Sequence, residues 1–157
     1  MAAVLVTGMS GAGKSTVLAE LARRGHPVAD TDLGGYVQSV PVPGRAEPER
    51  LWRADRIDAL LDRYAADTLF VAGCVANQGR WYPRFAAVVL LTAPIDVLLA
   101  RVAARPTNPF GRTAAERARI VADTAAVEPL LRAGATLEID TRRPVPDVVR
   151  VVTAAAR

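Results

Sequence analysis

The stretch GMSGAGKS, residues 8–15, constrains the fold of this chain more than any other feature of the sequence. It matches the pattern G-x-x-x-x-G-K-[ST] in full. An apolar, β-branched run at residues 3–6 precedes it, and apolar residues recur at helical spacing over residues 15–24. A glycine-rich turn between a strand and a helix presents backbone N–H groups and the positive end of the helix to phosphate oxygens. The sequence therefore predicts an α/β fold with a phosphate-binding loop near its start.

The lysine of this stretch is the only lysine of the chain, since the other 19 of its 20 basic residues are arginine. In this pattern the lysine reaches the β- and γ-phosphates of a nucleotide, and the hydroxyl that follows it ligates Mg²⁺. We therefore expect ATP and Mg²⁺ as cofactors, with Ser15 as a metal ligand. The residues predicted to hold the nucleotide phosphates are Gly8, Gly11, Ala12, Gly13, Lys14, Ser15 and Thr16.

Predicted strands and helices alternate along the whole chain, which favours a parallel sheet with helices on both faces. The predicted strands are residues 3–6, 27–29, 68–72, 86–92 and 137–139. The predicted helices are residues 15–24, about 47–64, a segment after Pro94, one from Thr113 towards Leu131, and 145–155; residues 33–47 are predicted as loop. We expect a three-layer α/β/α sandwich with five parallel strands, formed by residues 1–157 as one domain.

Two carboxylates, Asp30 and Asp32, follow the second predicted strand and point to the same side of an extended chain. The strand at 68–72 ends in Gly73 and Cys74 without a carboxylate, so this pair is the candidate partner of Mg²⁺. One of the two could hold the water shell of the metal while the other orients or deprotonates a substrate hydroxyl. Capping of the following turn is the alternative for either residue.

Arginines and amides in two later segments complete the candidate site. Arg101 and Arg105 lie four residues apart at a helix end, and Arg105 begins a segment of about 105–113 that has the composition of a lid. An arginine there would stabilise the charge of the transferred phosphoryl group. The second segment, residues 73–85, is predicted to select the substrate. Its candidates are Gly73, Asn77 and Gln78 for hydroxyls or a base, Arg80 and Arg84 for an anion, and Trp81 or Tyr82 for stacking.

Composition excludes several classes of protein. Cys74 is the only cysteine and His26 the only histidine, which excludes an internal disulfide, a thiolate cluster and most histidine metal sites. The net charge of +4 comes from scattered basic residues, so we expect no nucleic-acid partner. No apolar run reaches the 18 to 20 or so residues that span a bilayer. We expect a cytoplasmic protein that binds a small-molecule substrate, with no membrane association and no obligate protein partner.

The sequence resembles the P-loop small-molecule and nucleotide kinases, most closely the shikimate kinase-like and adenylate kinase-like group. The resemblance lies in GMSGAGKST, VADTD, RVAARP and IDTRRPVPDVV, and it covers almost the whole chain. It implies the strand order 2-3-1-4-5, a metal-side Asp30 and a substrate-side Asp32. It further implies a substrate-binding Arg53, an adenine-stacking Arg101, a lid arginine at Arg105 and an adenine loop that includes Arg143 and Pro144.

Three departures from the shikimate kinase pattern affect the substrate prediction. Arg56 replaces a glutamate, Gly73-Cys74-Val75 replaces a triple glycine, and Val127 stands where a second substrate-binding arginine is expected. The sequence thus predicts an ATP- and Mg²⁺-dependent kinase of a hydroxylated or phosphorylated metabolite, with shikimate itself not expected. Two alternatives stay open at this point: a nucleoside or nucleotide kinase that reads a base with Asn77, Gln78 and Tyr82, and an ATP-binding protein whose lid closes without appreciable turnover.

Overall fold

The computed structural model describes residues 2–106 and 109–157, and it consists of alternating strands and helices with one additional hairpin. The strands are β1 (Ala2–Thr7), β2 (Val28–Asp30), β3 (Val37–Val40), β4 (Glu49–Trp52), β5 (Thr68–Ala72), β6 (Ala87–Thr92) and β7 (Leu137–Asp140). The helices are α1 (Lys14–Arg23), α2 (Ala54–Arg63), α3 (Ile95–Ala104), α4 (Ala114–Gly134) and α5 (Val145–Ala154), with a 3₁₀ helix at Gln78–Arg84.

Five of the strands form a parallel sheet in the order β2-β5-β1-β6-β7. Counted among the parallel strands alone, this is the order 2-3-1-4-5 that the family resemblance implied. In the centre, Val6 of β1 lies opposite Ala72 of β5 and Val89 of β6. Because all five strands run the same way, their carboxyl ends share one edge of the sheet, where ligands of such folds bind.

Both faces of the sheet are covered, which confirms the predicted α/β/α sandwich. Val4 and Val6 face a cluster with α1, α3 and α5, whereas Leu5 between them faces a second cluster with α2 and the 3₁₀ helix. All three β1 side chains are fully buried, as expected of a parallel strand between two helical layers. None of the helices in the described part of the chain has the length and apolar character needed to cross a membrane.

The main difference from the sequence prediction is the antiparallel hairpin of β3 and β4. The loop predicted at 33–47 contains β3, and the helix predicted from about residue 47 begins only at Ala54. β4 is extended because partners distant in sequence pair with it on both sides. β3 lies along one side, and on the other Trp52 donates its N–H to Asn77 Oδ1 (2.8 Å) and accepts from Asn77 Nδ2 (3.1 Å).

The boundary at the start of α4 follows the sequence closely. Glu116 N–H donates to Thr113 Oγ1 and Thr113 N–H donates to Glu116 Oε1, both at 3.2 Å. This reciprocal pair is the predicted capping box, in which two otherwise unpaired backbone donors of a helix start are satisfied. The helix then runs beyond Leu131 to Gly134, with Pro129 inside it. The other boundaries that were predicted with residue numbers agree with the structure to within one residue.

Two buried hydrogen bonds join the hairpin to the carboxyl end of β5. The Trp52 indole N–H donates to Thr31 Oγ1 (3.0 Å), and the Thr31 hydroxyl donates to the Ala72 carbonyl oxygen (2.7 Å). Gly73 lies directly beneath this pair: a Cβ there would be 2.4 Å from Thr31 Oγ1 and 3.0 Å from Trp52 Cζ2. The glycine is therefore needed for close packing, not for an unusual backbone conformation.

We expect Gly73→Ala to lower the free energy of unfolding by about 1–3 kcal/mol, because the added methyl overpacks two buried side chains. Gly79→Ala is the matched control, since a Cβ at that position has its nearest neighbour, Tyr82 Cε2, at 3.9 Å. Urea unfolding of the two variants and the unsubstituted protein measures the difference. Equal stability of the two variants would contradict this account of Gly73.

Candidate functional site

The phosphate loop lies between the end of β1 and the start of α1, and its shape depends on glycine. Gly11 has φ +84°, and a Cβ there would lie 2.7 Å from the Leu98 carbonyl oxygen of α3. Gly13 has φ +106° and forms the N-cap of α1 without any side-chain hydrogen bond to the first turn. The first N–H groups of α1 thus have no side-chain cap, which leaves them available to an anion.

Lys14, at the first position of α1, folds back over this loop. Its Nζ donates to the carbonyl oxygens of Gly8 (2.5 Å) and Met9 (3.1 Å). These two bonds hold the ammonium beside the uncapped start of α1. Contact of Lys14 with nucleotide phosphates stays a prediction that this placement favours.

The electrostatic surroundings of Lys14 combine both signs of charge. Burial of the ammonium is the main cause that holds its pKa below the usual value, and the charge of Arg105 adds to that lowering. Cys74, Asp32 and Asp30 oppose it, each favouring the charged lysine. The two predicted carboxylates and the predicted lid arginine therefore all lie within electrostatic reach of this ammonium.

Two adjoining cavities open at this edge of the sheet. The larger, of about 440 Å³, is lined by Ser10, Gly11, Gly13, Lys14, Ser15, Thr16, Asp32, Arg101 and Arg105. The smaller, of about 200 Å³, is lined by Gly13, Thr16, Val17, Arg101, Thr141, Arg143, Val145 and Val148. Their shared residues make them neighbours, one charged and polar and the other bordered by three valines. A ligand with a polyphosphate end and an aromatic end matches this division.

Arg101 connects the two cavities through hydrogen bonds. It donates through Nη1 to the Gly11 carbonyl oxygen (3.1 Å) and to Thr141 Oγ1 (2.8 Å), and through Nη2 to the Thr141 carbonyl oxygen (2.8 Å). The Thr141 hydroxyl donates in turn to the Ala12 carbonyl oxygen (2.7 Å). Arg101, which is predicted to stack on adenine, thus joins the loop after β7 to the phosphate loop. The family resemblance placed Thr141 in the adenine loop, residues 140–144, but no pattern in the sequence indicated its bonds to Arg101 and the phosphate loop.

The other two residues of the predicted adenine loop differ in position. Arg143 is exposed and lines the smaller cavity. Pro144 is the N-cap of α5 and is exposed, and it does not line either cavity. Binding of a nucleobase by this loop stays a prediction, with Arg143 better placed for it than Pro144.

Arg105 contributes a cationic side chain to the lining of the larger cavity. Its Nε is buried and has no hydrogen-bond partner among the described residues. A buried donor without a partner costs about 1–3 kcal/mol. Arg112 Nη2 donates to the Arg105 carbonyl oxygen (2.6 Å). Residues 107 and 108 of the predicted lid lie outside the described residues.

The carboxylates after β2 lie next to each other, as predicted. Asp32 lines the larger cavity, its backbone N–H donates to Asp30 Oδ1 (3.0 Å), and its Oδ1 accepts from Arg50 Nη2 (3.3 Å). The described residues contain no group of three or more histidine, cysteine, aspartate or glutamate side chains that could hold a metal alone. A Mg²⁺ ion here would need phosphate oxygens and water besides Ser15 and a carboxylate, and the donors present fit that requirement.

Polar side chains of residues 73–85, the segment predicted to select the substrate, form hydrogen bonds within the protein. Asn77 is paired with the backbone of Trp52. Gln78 is 2% exposed, accepts from the Val75 N–H and donates to Thr7 Oγ1 and the Tyr82 hydroxyl oxygen.

The aromatic and basic side chains of this segment are also engaged in the structure. Trp81 is buried and donates to Asp58 Oδ1 (2.8 Å), while Arg84 pairs with Asp62 (2.6 Å). These bonds join the segment to the hairpin, to β1 and to α2. Contact of Asn77 or Gln78 with a substrate stays a prediction without support from these bonds.

Arg53 and Gly73 complete the predicted substrate residues. Arg53 is exposed at the N-cap of α2, with its backbone N–H bonded to the Tyr36 carbonyl oxygen (2.7 Å), and it does not line the larger cavity. Gly73 serves the packing of Trp52 and Thr31. The structure also brings Arg50, a residue predicted to lie in a helix, to within 3.3 Å of Asp32 Oδ1.

Structural comparison finds folds of the same kind over almost the whole chain. Shikimate kinase from Acinetobacter baumannii in complex with shikimate has 19% identity and a TM-score of 0.65, covering 98% of this chain and 91% of that chain. A gluconokinase from Sinorhizobium meliloti 1021 has 19% identity and a TM-score of 0.59, covering 99% and 91%. A sugar kinase from Janibacter sp. HTCC2649 has 21% identity and a TM-score of 0.58, covering 100% and 99%.

Sequence comparison supplies the family. None of the curated proteins compared matches the chain significantly. Residues 4–122, more than half of the chain and including the phosphate loop, match the AAA domain family. The chain therefore belongs to the AAA domain family, and its fold is that of the P-loop kinases that its sequence resembles.

Proposed function

We propose that this protein is an ATP- and Mg²⁺-dependent kinase that phosphorylates a hydroxylated or phosphorylated metabolite other than shikimate. One observation carries the proposal: Lys14, Arg105 and Asp32 line a single cavity in front of an uncapped helix start. Two cationic side chains are suited to the phosphates, and a carboxylate beside them is suited to an acceptor hydroxyl. The kinases among the similar structures support the same reaction class.

On the nucleotide side, the protein acts by positioning charge. The N–H groups at the start of α1 bind phosphate oxygens, and Lys14 moves from the loop carbonyls to those oxygens. Arg105, whose guanidinium lines the cavity, stabilises the transferred group, whose charge is spread over its oxygens. Ser15 and Asp30 would hold Mg²⁺, which would neutralise phosphate charge. Arg101 keeps the loop after β7 fixed to the phosphate loop, so that both ends of the nucleotide are held together.

On the acceptor side, Asp32 orients a hydroxyl and accepts its proton. It lines the cavity, and its backbone N–H is fixed by Asp30 Oδ1. A positioned base of this kind contributes about 100- to 10,000-fold to a reaction rate. A base-reading pocket around Asn77, Gln78 and Tyr82 has less support, since Gln78 and Tyr82 bond to each other and Asn77 bonds to Trp52. We therefore favour a metabolite acceptor over a nucleoside.

A substrate panel tests the proposal directly. ADP release with ATP and Mg²⁺ is measured in the presence of sugars, hydroxy acids, nucleosides and aminoglycosides, with EDTA-treated samples as the blank. We expect one hydroxylated metabolite to stimulate release and EDTA to abolish it. Tight ATP binding without stimulation by any class would instead indicate a nucleotide-binding protein without turnover.

The variant Lys14→Ala tests the nucleotide site itself. Loss of the ammonium removes a charge-assisted contact to the phosphates, so we expect ATP no longer to raise the melting temperature. Arg150→Ala is the matched control, because this exposed arginine of α5 pairs only with the nearby Asp147 in the contacts seen. An ATP-dependent shift that survives Lys14→Ala would show that the nucleotide binds elsewhere.

The variant Asp32→Asn separates catalysis from binding. We expect the acceptor-dependent rate to fall by about 100- to 10,000-fold, since an amide cannot take the hydroxyl proton. Stabilisation by ATP should persist, because the phosphate contacts come from other residues. Asp67→Asn serves as control, for this exposed aspartate precedes β5 at the opposite edge of the sheet. Full turnover in Asp32→Asn would remove Asp32 from the mechanism.

A further inference from the structure

A single ion pair joins the hairpin to the candidate acceptor carboxylate. Arg50 Nη2 of β4 lies 3.3 Å from Asp32 Oδ1, across 18 residues of chain. Both side chains are about half exposed, 53% for Arg50 and 48% for Asp32. Exposed pairs of this kind add little to folding stability. We therefore expect this contact to affect the orientation of the Asp32 side chain more than the stability of the fold.

The backbone of Arg50 is held firmly on both sides of β4. Its carbonyl oxygen accepts from the Ala76 N–H (3.1 Å), and on the other side it lies opposite Ser39 of β3. Alternate residues of a strand project from the same face, so Arg50 shares its face with the buried Trp52. Trp52 bonds to Thr31, the residue before Asp32. β4 thus contacts two successive residues of the segment after β2.

Asp32 itself lies in a segment with few other constraints. Leu33 after it is 68% exposed, and Gly34 and Gly35 follow with φ of +80° and +81°. The backbone N–H of Asp32 is bonded to Asp30, but that bond does not fix the rotation of the Asp32 side chain. Among the ion pairs described, Arg50 provides the one that acts on this carboxylate.

We propose that Arg50 is a positioning residue that holds the Asp32 carboxylate toward the acceptor hydroxyl. The inference rests on the proposed function, in which Asp32 takes the hydroxyl proton. Arg50 contacts one carboxylate oxygen, Oδ1, so the other can serve the acceptor. Direct binding of an acceptor anion by Arg50 is less favourable, because that anion would lie beside the negative charge of Asp32. Small errors in the placement of a reacting group reduce rates strongly.

A double-mutant cycle on Arg50 and Asp32 tests the proposal, with the acceptor found in the substrate panel. We expect Arg50→Ala to lower kcat about tenfold and to leave the acceptor KM within about twofold. Arg50→Lys should restore most of kcat, since the contact to Asp32 is made by one nitrogen. In the Asp32→Asn background, Arg50→Ala should cause no further loss, because its effect acts through the carboxylate.

Two further measurements distinguish the positioning role of Arg50 from a loss of folding stability. The melting temperature and its rise with ATP should be unchanged in Arg50→Ala. Arg45→Ala is the matched control: Arg45 precedes β4 and pairs with Glu49 (3.9 Å), and its removal should leave kcat unchanged. A lower melting temperature in Arg50→Ala, with kcat not restored by lysine, would overturn the positioning role.

The remaining outcomes are also distinct. A raised acceptor KM with unchanged kcat would mean that Arg50 binds the acceptor, which overturns the inference. An equal loss of kcat from Arg50→Ala with and without the Asp32 carboxylate would overturn it as well. Either result leaves the proposed kinase function standing. If the unsubstituted protein shows no acceptor-stimulated ADP release, the proposed function fails, and the inference fails with it.

Discussion

The parallel pairing of β1 with β5 on one side and β6 on the other is the interaction on which the rest of the structure depends. It places the chain leaving β1 in the middle of the carboxyl edge, where the other four parallel strands also end. The loop that follows can lie directly on β6 and α3 because its glycines have no side chains; a Cβ on Gly8 would lie 2.6 Å from the Leu91 carbonyl oxygen. Backbone amides are thereby left at the surface of the cavity instead of side chains.

Hydrogen bonds between loops also hold that edge of the sheet together. Arg101 and Thr141 join the phosphate loop to the loop after β7, although the two segments are 129 residues apart between Ala12 and Thr141. Trp52, Thr31 and Ala72 join the hairpin to the end of β5 in the same way. Each link combines a hydrogen bond to a threonine hydroxyl with hydrogen bonds to backbone carbonyl oxygens. The phosphate loop and the hairpin are thus each joined by hydrogen bonds to other segments at this edge.

The sequence could predict the elements whose patterns are local. β1, β6 and the phosphate loop follow from apolar runs and a glycine pattern, and the Thr113–Glu116 box marks the start of α4. Lys14 and Asp32 were expected at one edge because the segments that carry them follow parallel strands, whereas Arg105 was expected there from the lid composition and the family resemblance; all three line the larger cavity. β4 could not be predicted, since its extended form depends on β3 and on Asn77, which lies 25 residues away. The internal bonding of Asn77 and Gln78 was hidden for the same reason, as no local pattern shows which distant group will use an amide.

The hairpin has a consequence for how proteins with this scaffold can diverge. Its base is fixed by Trp52 and Asn77, whereas the connecting residues 41–48 are almost all exposed. Lengthening an exposed connection costs little conformational entropy, because loop closure depends only weakly on length. Insertions and deletions at this tip can therefore change the hairpin without disturbing the phosphate loop. The connection of the hairpin can thus vary in length during evolution, whereas Gly8 and Gly11 of the phosphate loop have no room for even one added methyl group.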